Sequence, residues 1–167
     1  MIAAGVTLRA WPLDLARRLV AGSGLDAAAT APWHPGYPLA DTVDALTMLL
    51  AAHEAAGPLA GRPHWWVHEI RVDGQVVGDV GFHGPPAPSR PVVVEIGYAV
   101  VPQVRNRGVA TRAVGLLLQR AWRDGADQVL AETDEHNLAS QAVLRGAGFR
   151  RRLCGDWAVA RPVRGAA

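Results

Sequence analysis

The stretch from Val92 to Arg112, VVVEIGYAVVPQVRNRGVATR, constrains the fold more than any other in this chain. Its first ten residues are mostly apolar and rich in β-branched side chains, which suits a strand buried on both faces. Pro102 stops the run, because proline has no N–H to give a β-ladder. A short basic loop follows, and Gly108 and Ala110 then open a helix-patterned segment running to about Gly125. The first N–H groups of a helix have no internal partner, and the helix dipole places partial positive charge behind them. Such a turn is a place for phosphate. Gly108 and the small Ala110 let a diphosphate approach the main chain, and Arg105 and Arg107 add charge. The spacing Arg-x-x-Gly-x-Ala is neither the dinucleotide pattern Gly-x-Gly-x-x-Gly nor a P-loop, whose lysine this chain lacks altogether.

At 167 residues with 50% hydrophobic side chains, the expectation is one domain, 1–167, large enough to bury roughly 70% of its unfolded surface. No apolar stretch approaches the ~20 residues of a membrane span. The first thirty residues lack the basic start and continuous apolar core of a secretory leader. The single Cys154 excludes an internal disulfide and a cysteine metal site, and no spacing among the six histidines suggests a metal centre. A reducing cytoplasm is the expected setting. All seventeen basic residues are arginines, so chemistry through a lysine Schiff base is excluded. A sequence pI near 9.3 with a net charge of only +2 is weak evidence for a nucleic-acid surface, and an arginine-rich nucleic-acid binder is a lesser reading.

The rest of the chain gives a coherent order. Val6–Ala10 reads as a strand, and Leu13–Ala21 as a helix ended by Gly22 and Gly24. Residues 30–40 hold three prolines and form a loop. Asp41-Thr42 is placed to cap a helix reaching Ala56. Trp65–Val72 and Gln75–Phe82 flank Asp73-Gly74, which favours a type I′ hairpin turn. His64 and His68, with Trp65-Trp66, suggest a strand with one buried face. After the strand at 92–101 and the motif helix come a strand at Gln128–Thr133, a helix at Leu138–Ala147, and a final pair, Arg150–Cys154 and Trp157–Arg161. The strand–helix–strand unit around the motif requires a parallel strand pair within one mixed sheet.

The Arg105, Gly108 and Ala110 positions resemble the acetyl-CoA signature of the GNAT superfamily of N-acetyltransferases. A second match, Asn137-x-x-Ser140 followed by Val143-Leu144 and Gly148-Phe149, is similar to the helix that lies beside the pantetheine arm there. The resemblance covers roughly residues 65–160. EIGY before the motif and N-x-x-S after it look most like the RimJ/RimL-type branch, the ribosomal-protein N-terminal acetyltransferases. The fold this implies is an α/β one, α+β mixed. A central, mostly antiparallel sheet of six to seven strands with a splayed parallel pair is flanked by about four helices.

The resemblance implies acetyl-CoA as co-substrate, no metal, and a small-molecule or peptide amine as acceptor, with a homodimer among the expected partners. Val100 and Val101, together with Ala99, would offer backbone groups to the pantetheine. Arg105, Asn106, Arg107, Gly108, Val109, Ala110 and Thr111 would cradle the diphosphate, and Asn137 and Ser140 would meet the arm. Direct attack by a neutral amine in a ternary complex is the implied reaction, without an acetylated Cys154. An α-amine with a pKa of about 8 is ~10% neutral at pH 7, and a lysine-type amine only ~0.04%, so a base matters more for the latter. Glu95 resembles the base of one branch and Glu132 that of another, and both stay open. Many relatives place a tyrosine acid seven residues after the asparagine. Leu144 stands there, which leaves Ser140 as acid, as helix cap or as a coenzyme contact. A catalytically silent acyl-CoA-binding module on the same fold is the alternative. Trp33, His34, Tyr37 and His83 are the expected acceptor contacts, although packing explains each of them too.

Overall fold

A computed structural model of the chain describes residues 5–23, 32–56 and 65–163. Gly24, Thr30, Ala31 and His64 of the segments above lie outside them. The described residues form one seven-stranded sheet. Its elements in chain order are β1 (Val6–Ala10), α1 (Leu13–Val20), α2 (Ala40–Ala56), β2 (Val67–Val72), β3 (Gln75–Phe82) and β4 (Val93–Val100). A 3₁₀ turn at Pro102–Val104 leads to α3 (Val109–Arg123), β5 (Gln128–Ala131), α4 (Leu138–Gly146), β6 (Arg150–Arg151) and β7 (Trp157–Ala160). The strand order is β1-β2-β3-β4-β5-β7-β6. Only β4 and β5 run parallel, and every other pair is antiparallel.

Local chemistry accounts for these elements. Asp73 and Gly74 both take positive φ, 50° and 84°, as a type I′ turn requires, and they join β2 to β3. The face of α3 carrying Val109, Ala113, Val114, Leu117 and Ala121 is buried, which matches the i, i+4, i+8 spacing of an amphipathic helix. Ile96, Val94, Val129 and Leu144 join that face in one core with Trp66, Ile70 and Val80. Asp127 ties the start of β4 down by accepting a 2.7 Å hydrogen bond from the Val92 N–H.

Several boundaries differ from the sequence expectation, mostly by one or two residues, and three of the differences are instructive. The second helix begins at Ala40, one residue ahead of Asp41-Thr42, so this pair lies within the first turn. The fifth strand stops at Ala131 rather than Thr133, because its ladder with β4 ends at Ile96↔Ala131 and its ladder with β7 ends at Trp157. The sixth strand shrinks to Arg150–Arg151, since only these residues find partners on β7.

The early end of β5 creates the feature on which the site depends. β4 continues to Val100 while the parallel pairing stops at Ile96. Gly97, Tyr98, Ala99 and Val100 still pair with β3 on one side. Their other edge is left without a strand, so its backbone groups, apart from the Val100 carbonyl that Arg105 holds, are open to another partner.

Candidate active site

Two walls meet at that free edge. The first is the turn into α3. Asn106 and Gly108 both adopt left-handed conformations, φ 60° and 75°, which turns successive amides toward one side. Gly108 occupies the helix N-cap without any side-chain cap, and a Cβ built on it meets nothing within 4 Å. The first bond closing the helix is Arg112 N–H to Gly108 O at 3.0 Å, so the amides of Val109, Ala110 and Thr111 lie ahead of the ladder. Arg105 folds back and donates from Nε to the Val100 carbonyl at 3.3 Å. Arg107 and Arg112 are exposed beside the turn. Open space, unpartnered amides and arginines together fit a diphosphate.

The second wall is α4. Asn137 caps it, its Oδ1 accepting from the Ser140 N–H at 3.0 Å. Ser140 is in turn bonded across to β4: the Tyr98 hydroxyl lies 2.8 Å from Ser140 Oγ and 3.0 Å from the Ser140 carbonyl. Burial raises the Tyr98 pKa, and the Ser140 bond opposes that rise. Leu144 is fully buried in the core.

On the sheet face toward α2 lies a cleft of about 300 Å³. Gly81, Gly97 and Ala99 form its floor, Asp41, Asp44 and Met48 one wall, and Asp79 and His83 its two ends. Direct cross-strand partners share a face, so the pairs Gly81↔Gly97 and Asp79↔Ala99 put these residues on the same side of the sheet. At one end His83 Nδ1 sits 3.0 Å from Glu95 Oε1, and the His83 N–H donates to the Glu95 carbonyl at 2.9 Å. Glu95 is thus held twice by one residue while its carboxylate remains partly open to solvent. At the other end Asp79 is almost wholly buried. Its Oδ2 accepts from Thr42 Oγ1 at 2.5 Å and from the Tyr37 hydroxyl at 3.3 Å. Burial pushes the Asp79 pKa up to about 6, against the lowering effect of those two bonds.

The expected site residues therefore divide. Arg105 to Thr111 and Val100 flank the free edge, and Asn137 and Ser140 stand on the opposite wall. Val101 is fully buried, and its N–H bonds to Val77. Glu95 touches the cleft only through His83, and Glu132 lines a separate hollow. Glu132 is exposed where β5 ends, beside Thr133, Cys154, Gly155 and Asp156. Of the expected acceptor contacts, His83 lines the cleft, whereas Trp33, His34 and Tyr37 do not. Tyr37 is core: buried, 5.2 Å edge-on from Trp33, and bonded by Trp11 Nε1 at 3.1 Å. It reaches the cleft only by supporting Asp79. Among the described residues no group of three or more His, Cys, Asp or Glu side chains could hold a metal ion. No helix among them is long and apolar enough to cross a membrane.

Sequence reasoning missed Asp79, Thr42 and Tyr98. A lone carboxylate inside the apolar strand VVGDVGF was a usable signal, because an ionised side chain in such a strand demands partners. Nothing in the sequence pairs residue 42 with 79, or 98 with 140.

Residues 6–150 match the model of the acetyltransferase (GNAT) domain, and the chain belongs to that family. It carries an acetyltransferase fold. No curated protein matches it by sequence. Among solved structures it is similar to RimJ of Mycobacterium smegmatis in complex with CoA-disulfide (21% identity, 96% of this chain and 84% of that one, TM-score 0.63). Aminoglycoside acetyltransferase AAC(6')-Ib with acetyl-CoA is similar at 15% identity, covering 98% and 100%, with TM-score 0.62. RimL, a ribosomal L7/L12 alpha-N-protein acetyltransferase in complex with coenzyme A, is similar at 16%, covering 96% of each, with TM-score 0.60. At such identities these likenesses concern the fold.

Proposed function

We propose that the protein transfers an acetyl group from acetyl-CoA to a primary amine held in the cleft beneath α2. The observation that carries this reading is the free edge of β4 from Gly97 to Val100, flanked by the α3 turn and backed by the Glu95–His83 pair. The amides of Val109 to Thr111 and the exposed Arg107 and Arg112 bind the diphosphate. The unpaired edge of β4 holds the pantetheine as an added strand would, and an N–H there steadies the negative charge that develops on the thioester oxygen.

Asp41, Asp44 and Asp79 line the cleft, with no arginine among its described lining residues, which favours an acceptor that arrives as an ammonium. Glu95, oriented by His83, removes its proton directly or through water. By their names RimL is a ribosomal L7/L12 alpha-N-protein acetyltransferase and AAC(6')-Ib an aminoglycoside acetyltransferase, and the acidic lining suits either kind of amine.

Turnover of an amine and peptide panel, read as released thiol, tests the reading. Glu95→Gln is expected to lower kcat on the best acceptor by about a hundredfold, with coenzyme affinity unchanged. Full activity of Glu95→Gln from pH 6 to 9 would remove Glu95 as base. The buried Leu144, where many relatives carry a tyrosine, favours a second reading, a silent acyl-CoA-binding module. Tight coenzyme binding with no thiol released from any amine would decide for it.

A further inference from the structure

Tyr98 has no part in the scheme above, yet its hydroxyl joins β4 to α4 across the opening left by β5. It lies on the free segment, two residues past the last parallel pair Ile96↔Ala131. Two oxygens of one residue, Ser140 Oγ at 2.8 Å and Ser140 O at 3.0 Å, compete for its single proton. Counting protons gives two arrangements. In the first, Tyr98 donates to the Ser140 carbonyl and Ser140 Oγ–H donates back to the tyrosine oxygen. Both protons are then consumed inside the ring. In the second, Tyr98 donates to Ser140 Oγ, which leaves the serine proton free to point into the opening. Rotation of one O–H bond converts the first into the second.

We propose that Tyr98 is a positioning residue for the leaving thiolate: by turning its O–H from the Ser140 carbonyl to Ser140 Oγ, it frees the serine proton to bond to the departing sulfur. This inference rests on the acetyl-transfer reading. As the amine nitrogen forms the new C–N bond, the C–S bond breaks and its electron pair leaves on sulfur. Ser140 Oγ–H hydrogen-bonds to that thiolate, and Tyr98 supplies the bond that Ser140 Oγ then needs. No proton leaves the tyrosine. Its raised pKa keeps it neutral and able to donate at neutral pH, and the thiolate takes its final proton from solvent.

The experiment compares wild type with Tyr98→Phe, Ser140→Ala and the double variant. Tyr98→Phe keeps the ring and removes only the hydroxyl. With acetyl-CoA, each single variant is expected to lower kcat by about tenfold, the worth of one hydrogen bond, with KM for acetyl-CoA unchanged. The double variant should be no slower than Ser140→Ala alone, because the two groups act as one unit. Losses that multiply, or a loss carried by KM, would overturn the inference. A second measurement needs no turnover: the thiol of bound CoA, followed by thiolate absorbance, should titrate about half a unit lower in wild type than in Tyr98→Phe, since a donor favours the thiolate. Equal titration in the two proteins would also overturn it. A protein that acetylates amines but shows neither effect loses this inference and keeps its function. One that shows the thiol shift yet acetylates nothing keeps the hydrogen-bond unit and loses the acetyl-transfer reading.

Discussion

Single residues set the shape of the cleft proposed for the acceptor by what they omit as much as by what they carry. A Cβ on Gly97 would lie 2.8 Å from His83 Nε2, the far end of a side chain that can move aside. Gly97→Ala should therefore displace His83 from Glu95 at small cost to the fold. The expected result is a fall in kcat of about tenfold, as misplacement of a catalytic group produces, with stability altered by less than about 1 kcal/mol. Steady-state kinetics and a urea melt read the two quantities, and a His83→Ala background should show no further loss. Asp79 makes the opposite point. Its carboxylate spends stability by staying buried against α2, and the direct cross-strand pairing with Ala99 sets it one strand in from the free edge. By strand geometry it stands about 13 Å along the face from Glu95, so a single extended acceptor can meet both.

Elements decide whether those residues find a coenzyme to work on. The turn into α3 depends on Gly108 at φ 75°, a conformation that a side chain disfavours. Gly108→Glu adds strain and a negative charge to the proposed diphosphate site, and should weaken CoA binding by tenfold or more by calorimetry, roughly the worth of 1.4 kcal/mol. Gly78 packs on β3, against the edge of β4 opposite the free one. Its Cβ would come within 2.2 Å of the Ala99 carbonyl, a backbone atom that cannot swing away. Gly78→Ala is expected to cost about 1–3 kcal/mol in denaturant unfolding, as overpacking does. Much of this was legible in the sequence. The turn at 102–110 and the hairpin at Asp73-Gly74 declare themselves through proline, glycine and local charge. The strand Val6–Ala10 and the hairpin strand Gln75–Phe82 have the bounds their periodicity gave. What stayed hidden has a common cause. The end of β5 at Ala131, the Thr42–Asp79 bond and the Tyr98–Ser140 bond all depend on which distant segments meet. Local pattern carries no record of such meetings. Tyr37 shows the reverse failure: an aromatic in a proline-rich loop looked like a binding surface and proved to be core.

For the molecule as a whole, two buried groups pull stability in opposite directions with pH. Asp79 titrates near 6 in the fold against 3.8 when free, so the folded chain holds an extra proton between those values and loses stability as pH rises through them. At about 1.4 kcal/mol per pH unit this amounts to about 3 kcal/mol. His68, buried beside Arg120, is lowered from 6.5 to about 4. There the unfolded chain holds the extra proton, and stability falls as pH drops through the same range. The two slopes nearly cancel from pH 4 to 6. Asp79→Asn removes one of them. That variant should be more stable than wild type at pH 8 by up to about 3 kcal/mol, equal to it below pH 4, and visibly acid-sensitive in between. Urea melts at pH 4, 6 and 8 would show it, and matching midpoints at pH 8 would rule it out. The gain in stability should come with a higher KM for the amine. At the far margin of the sheet, β6 is only two residues long, and both are exposed arginines. A second copy trying to extend the ladder there would bring cation against cation across a contact too short to repay the repulsion. That margin of the sheet is thereby poorly suited to polymerisation, while the run of β4 beyond Ile96 stays open to a partner of another kind.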